Sequence, residues 1–194
     1  MLPTSQSLLA RARQSADVSA WTELHALYHP LIQSWLKRLS APVSNIDDLT
    51  QDVLMVVMRN LSDFEHNQRT GAFRNWLRCV TVNCLRDFRK QNRLQPRSDG
   101  GTQFSQTLAE LEDSDSPLGE QWNREHDQFV VDSVLRQIKN DFEPQSWAAF
   151  EMLTLQEMSA DEVARQLNMN RNAVYAVKSR VMTRLRQLSA GLID

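Results

Sequence analysis

The sequence predicts an all-α protein: two small helical domains joined by a flexible acidic linker, the C-terminal one containing a helix-turn-helix. Three observations carry this. Apolar residues recur at helical spacing along almost the whole chain, and no run alternates as a half-buried strand would. Glycine (5) and proline (6) are scarce in 194 residues, which argues against an all-β fold with many tight turns and against a Gly-rich phosphate cradle. Charge is also uneven, with net +4 over residues 1–96, −6 over 97–127 and zero over 128–194, inside a total of −2. The expected divisions are therefore a first domain over 1–95, a linker over 96–127 and a second domain over 128–194.

Over residues 20–40, Trp21, Leu24, Leu27, Tyr28, Leu31, Ile32, Trp35, Leu36 and Leu39 form one broad apolar stripe. Pro30 is expected to kink or split that helix near His29. Ser44, Asn45, Ile46 and Asp47 read as a helix start with two carboxylates in the first turn. From there Leu49, Val53, Val56 and Val57 make a buried face running to about Leu61. Residues 62–72 are polar and read as a loop. The strongest amphipathic helix follows, with Phe73, Trp76, Leu77, Val80, Cys84, Leu85 and Phe88 on one stripe and Pro96 ending the domain. Residues 96–127 combine Gly100, Gly101 and Pro117 with an acidic run, and predict a mobile tether with a short helical piece over 106–112. A helix is expected over about 128–140. Pro144 opens the next, at the first helical position. Two more helices are separated by a short turn near Asn168.

Several function classes are set aside at this level. No stretch approaches the ~18–20 apolar residues of a membrane span, and the N-terminal run predicts no signal peptide. The two cysteines, Cys79 and Cys84, are too few for a four-ligand zinc site and lie on different helical faces, and free thiols point to the cytoplasm. His25 and His29 sit one turn apart near Glu23 and Asp17, but HALYH lacks the adjacent Glu of the zinc-protease motif. Exposed helix-surface histidines account for them, and neither a metal nor a cofactor is expected.

Residues 160–181 carry the clearest binding pattern. Val163, Leu167, Met169, Val174 and Val177 fall where two steeply crossing helices must bury side chains, and Ala164 allows close approach. Asn168 suits the left-handed turn position and Asn170 the N-cap of the second helix. That helix offers Arg171, Asn172, Tyr175, Lys178, Ser179 and Arg180, with Arg184 and Arg186 beyond and no acidic residue among them. Arginine and lysine neutralise phosphates, and Arg171 and Asn172 have the geometry for bidentate base contacts.

In the first domain, Arg74, Arg78, Arg86, Arg89, Lys90 and Arg93 lie opposite the apolar stripe with aromatics interleaved, and Asn83 adds a base-sized amide. Charge beside aromatic rings suits single-stranded nucleic acid. An ordinary solvated basic face accounts for those arginines equally well, and Trp76 and Phe88 belong more naturally to the core. Asp48, Gln51, Asp52 and Met55 share one helix face beside the buried stripe. Two carboxylates without a third ligand make a partner-binding patch, or a solvated face, rather than a catalytic or metal site.

The run Asp47, Asp48, Leu49, Thr50, Gln51, Asp52, Val53, then Phe73, Arg74, Asn75, Trp76, Leu77 with Asn83, and then the helix-turn-helix resemble, in that order, bacterial RNA polymerase sigma factors of the extracytoplasmic-function (ECF) group. The resemblance covers about residues 20–95 and 128–188. It implies a non-enzymatic factor that binds core RNA polymerase and directs promoter recognition, DNA melting and transcription initiation. On that resemblance Asp48, Gln51, Asp52 and Met55 meet the clamp helices of the polymerase's largest subunit. Asn83, Arg86, Lys90 and Arg93 face −10 DNA. Arg171, Asn172, Tyr175, Lys178, Ser179 and Arg180 belong to the −35 reader. It also allows an anti-sigma protein as partner, and it implies neither a membrane nor a small-molecule substrate. Tyr175, Ala176 and Val177 stand where many relatives carry Lys-Ser-Arg, so the −35 sequence does not carry over.

Charge supports a subunit over a free-standing binder. Neutralised phosphates supply most non-specific affinity, and a net −2 chain has little surplus to offer. Two weak readers on a tether bind well once a partner fixes their spacing. The competing reading is a stand-alone helix-turn-helix regulator, which would need a dimerisation surface to match two half-sites.

Overall fold

The computed structural model describes residues 7–14, 17–39, 41–64, 71–91 and 101–193. Every element among them is helical: α1 (Leu8–Ala12), α2 (Val18–Arg38), α3 (Ile46–Asn60), α4 (Ala72–Gln91), α5 (Gly101–Glu112), α6 (Pro117–Ile138), α7 (Pro144–Thr154), α8 (Ala160–Gln166) and α9 (Arg171–Ser189), with short 3₁₀ turns at Val43–Asn45 and Lys139–Asp141. The chain forms two bodies, one of Ser7–Val130 with Ala190–Asp194, the other of Val131–Ser189.

The first body is built on α2. Its Leu24, Tyr28, Ile32, Trp35 and Leu36 are essentially solvent-free, as are Leu49, Val53 and Val57 of α3 and Phe73, Leu77 and Leu85 of α4. These three helices pack in sequence order, α2 on α3 and α3 on α4. Phe64, Phe73 and Trp76 meet as an aromatic cluster with ring centroids 5.0–5.7 Å apart. Asp17 caps α2 by accepting the Ala20 N–H at 2.8 Å.

One expectation is narrowed in this body and another fails. Pro30 does not split α2, which continues to Arg38. Pro30 and Ala26 both lie on the exposed side, so water can reach the Ala26 carbonyl that proline leaves without a helical donor. The larger difference concerns the tether expected over 96–127. Where described, it is two helices belonging to the first body, and α6 begins at Pro117 rather than near 128. The physical reason is a sparse but well-placed apolar set: Leu108 and Leu111 of α5 and Trp122 of α6 are fully buried, Trp122 against Trp35 with centroids 4.9 Å apart. Three of the acidic residues that suggested a solvated chain, Glu112, Glu125 and Asp127, instead meet arginines of α2 and α4. Ser116 ties the α5–α6 turn by accepting the Gly119 N–H at 2.9 Å. A Cβ on Gly119 would lie 2.0 Å from the Asp113 carbonyl, so only glycine fits this approach. Arg93 and Pro96, the expected end of the preceding helix, lie outside the described residues.

The second body packs α7 and α8 on α9, around Phe150, Val163, Val174, Val177 and Val181. Pro144 takes the first turn of α7. A capping box starts α8: Ser159 accepts the Glu162 N–H, and the Glu162 carboxylate accepts the Ser159 N–H at 3.0 Å. Asn168 sits at φ 50° between α8 and α9, and Asn170 Oδ1 accepts the Asn172 N–H at 2.8 Å. Leu167 and Met169, expected in the core, are half-buried.

Candidate partner and nucleic-acid surfaces

α3 presents the first surface. Its carboxylates Asp47 and Asp48 stand in the first turn, where the helix dipole favours negative charge. Burial of Leu49, Val53 and Val57 turns Asp48, Gln51, Asp52 and Met55 outward together, and all four are exposed. Gln51 and Met55 join Leu54 and Met58 of α3 and Val18, Trp21, Thr22 and His25 of α2 around a largely apolar groove of about 430 Å³. An apolar groove beside carboxylates suits an amphipathic helical partner with a basic flank, and methionines adapt to such a partner.

α4 is not the open basic face that its sequence allowed. Arg78 is 2% exposed, and donates to the Glu112 carbonyl at 3.3 Å and to Asn123 Oδ1 at 3.4 Å. Desolvation lowers its pKa. Arg86 grips the Glu112 carboxylate with both terminal nitrogens, at 2.5 and 2.7 Å. This hydrogen bonding holds the Glu112 carboxyl below its usual range and raises the Arg86 guanidinium. Arg89 lies over the Phe104 ring, 3.3 Å from its centroid, and Arg74 pairs with Asp127. Asn83 is exposed, as is Lys90, whose near charge is Asp87 at 3.6 Å. Of the four −10 candidates, then, Asn83 and Lys90 face solvent, Arg86 is engaged by α5, and Arg93 lies outside the described residues.

Beside this face sits a group that sequence reasoning missed. His126 is wholly buried, with Nε2 3.1 Å from the Tyr28 hydroxyl and Nδ1 3.0 Å from Asp127 Oδ1. That arrangement fits a neutral ring, donating to Asp127 and accepting from Tyr28. Burial pushes the imidazole pKa down against the upward pull of Asp127, and burial also raises the Tyr28 phenol well above its usual value. The available signal was the spacing of Leu118, Trp122, His126, Phe129 and Val130 after Pro117, a helical stripe hidden in an acidic context.

α9 carries the third surface. Arg171, Asn172, Tyr175, Lys178, Ser179 and Arg180 are all exposed. The first five share one side, where the Arg171 guanidinium lies 5.8 Å from the Tyr175 ring centroid. Arg180 is turned half round the helix and lines a cleft with Asp141, Glu143 and Glu151. Among the described residues no group of three or more His, Cys, Asp or Glu could hold a metal ion, and no helix is long and apolar enough to cross a membrane.

Comparison with known proteins finds a family match over part of the chain. Residues 24–94 match the model of sigma-70 region 2. RNA polymerase sigma factor NccH of Alcaligenes xylosoxydans xylosoxydans is 27% identical over 88 residues, covering 45% of this chain and 46% of that protein, so the match spans about half of either. Among solved structures, the RsbN–BldN complex aligns over 92% of this chain and 97% of the other, at 17% identity and a TM-score of 0.34. CnrH in complex with the cytosolic domain of CnrY aligns over 92% of both chains, at 20% identity and a TM-score of 0.37.

Proposed function

We propose, from the premise that this chain is a relative of the ECF-group sigma factors with a sigma-70 region 2 domain over residues 24–94, that it binds core RNA polymerase and directs promoter recognition, DNA melting and transcription initiation. The observation that carries the reading is the match itself. It falls on the stretch that includes both the outward face of α3 and the arginine-bearing α4. In this reading Asp48, Gln51, Asp52 and Met55 dock on the clamp helices of the largest subunit, with the α2–α3 groove receiving apolar anchors. Asn83, Arg86, Lys90 and Arg93 take melted −10 DNA. Arg171, Asn172, Tyr175, Lys178 and Ser179 read the −35 duplex, and Arg180 serves the same body from its other side. The factor supplies binding energy and specificity, and no bond-making chemistry. Its partners are core polymerase and promoter DNA, met in the cytoplasm, and the reading leaves room for an anti-sigma protein.

The test is size-exclusion chromatography of the purified chain with bacterial core polymerase at moderate salt. One-to-one co-elution is expected, with loss of co-elution for Asp52→Arg at unchanged helical circular dichroism. A chain that stays separate while a control sigma factor associates would overturn the reading. Duplex binding by the chain alone would then favour a free-standing regulator. Normal association by Asp52→Arg would move the interface off α3.

A further inference from the structure

We propose that α5 is a built-in cover that holds the nucleic-acid face of α4 closed in the free chain. The inference rests on the reading of α4 as a DNA-contacting helix and adds its regulation. Three arginines of that helix are occupied by the two ends of α5 and by its neighbour α6. Glu112 meets Arg86 through two parallel N–H···O bonds, the fork geometry a phosphate would take. Phe104 lies under the Arg89 guanidinium, where a nucleobase would stack. The main-chain carbonyl of Glu112 takes an N–H of Arg78. One element thus offers a carboxylate in place of phosphate and a ring in place of a base. Asp113 and Asp115 add negative charge near Arg78.

The cover is separable from its mount. α6 is anchored deeply, by Trp122 against Trp35, by its indole N–H on the Arg74 carbonyl at 3.3 Å, and by His126. α5 contributes the buried Leu108 and Leu111, while Phe104 and Glu112 remain half-exposed. DNA could therefore displace α5 from α4 while α6 stays in place. Polar groups on both sides exchange like for like, so the burial of Leu108 and Leu111 is what keeps the cover closed.

The apparent affinity of a site that is open only part of the time falls in proportion to the open fraction, so a face closed nine-tenths of the time binds about tenfold more weakly. The test uses the full chain and the double variant Phe104→Ala/Glu112→Gln. Fluorescein-labelled oligothymidylate reports binding by anisotropy, and phenylglyoxal modification of Arg86 and Arg89, read by mass spectrometry, reports the cover directly. Glu110→Gln, on the exposed side of α5, controls for the charge removed. The double variant should be modified at least about fivefold faster and bind at least about tenfold tighter. Adding Arg86→Ala should remove most of that gain, and Glu110→Gln should change little. Unchanged modification overturns the cover. Faster modification with unchanged affinity overturns both autoinhibition and the −10 role of α4, leaving the α3 interface to its own co-elution test. A matching gain in Glu110→Gln reduces the effect to net charge and overturns the proposal. Where the double variant loses helical signal, Glu112→Gln alone must raise both readouts, and failure to do so counts against the cover.

Discussion

Trp122→Ala separates a mobile tether from a structural helix more sharply than any other substitution. Trp122 is 0% exposed, its ring centroid lies 4.9 Å from that of Trp35, and its N–H reaches the Arg74 carbonyl. A buried tryptophan hides at least ~150 Å² of largely apolar surface, which at ~25 cal/mol/Å² amounts to about 4 kcal/mol. Truncations of this kind in packed cores cost about 3–5 kcal/mol once the residual cavity is included. Trp122→Phe keeps a ring against Trp35 and loses the N–H, for a cost of about 1–2 kcal/mol. Urea unfolding followed by far-ultraviolet circular dichroism gives the totals. Hydrogen exchange assigns the loss to α2, α4 and α6, which matters because two bodies need not unfold together. A change below about 0.5 kcal/mol for Trp122→Ala is what an exposed linker position would show, and it would refute the packing described here.

His126 makes the same body sensitive to acid. Its ring faces Tyr28, Asp127 and, through Asp127, Arg74, and burial holds its pKa below the ordinary histidine range. The unfolded chain takes up a proton near pH ~6.5 while the native ring resists it, so this contribution is full above that pH and declines as pH falls toward the lowered native value. Urea midpoints at pH 7.5 and 5.5 should separate more for the native sequence than for His126→Gln, and equal separation would remove His126 as the cause. On α9, Arg171→Ala should weaken holoenzyme binding to a selected promoter by about 1–3 kcal/mol, with little loss on a scrambled duplex. An equal loss on both would make Arg171 a phosphate contact.

The sequence alone determined the elements whose periodicity is strong and whose ends are chemically marked. The apolar stripes of α2, α3 and α4 settle which side each helix buries, and hence that Asp48, Gln51, Asp52 and Met55 emerge together. Pro144, Asn168 and Asn170 mark helix boundaries through backbone preferences that hold in any context. Tertiary structure alone decided the fate of 101–130, because composition averages over positions while burial depends on them. One tryptophan, one histidine and two leucines at the right spacing bury against α2 and α4, and arginines there pair with three of the acids that made the stretch look solvated. The same contacts decided that Arg78 is core and Arg86 is occupied. Helical phase had put both on the open side of α4, but a helix's polar face stays open only until a complementary segment, distant in sequence, folds onto it.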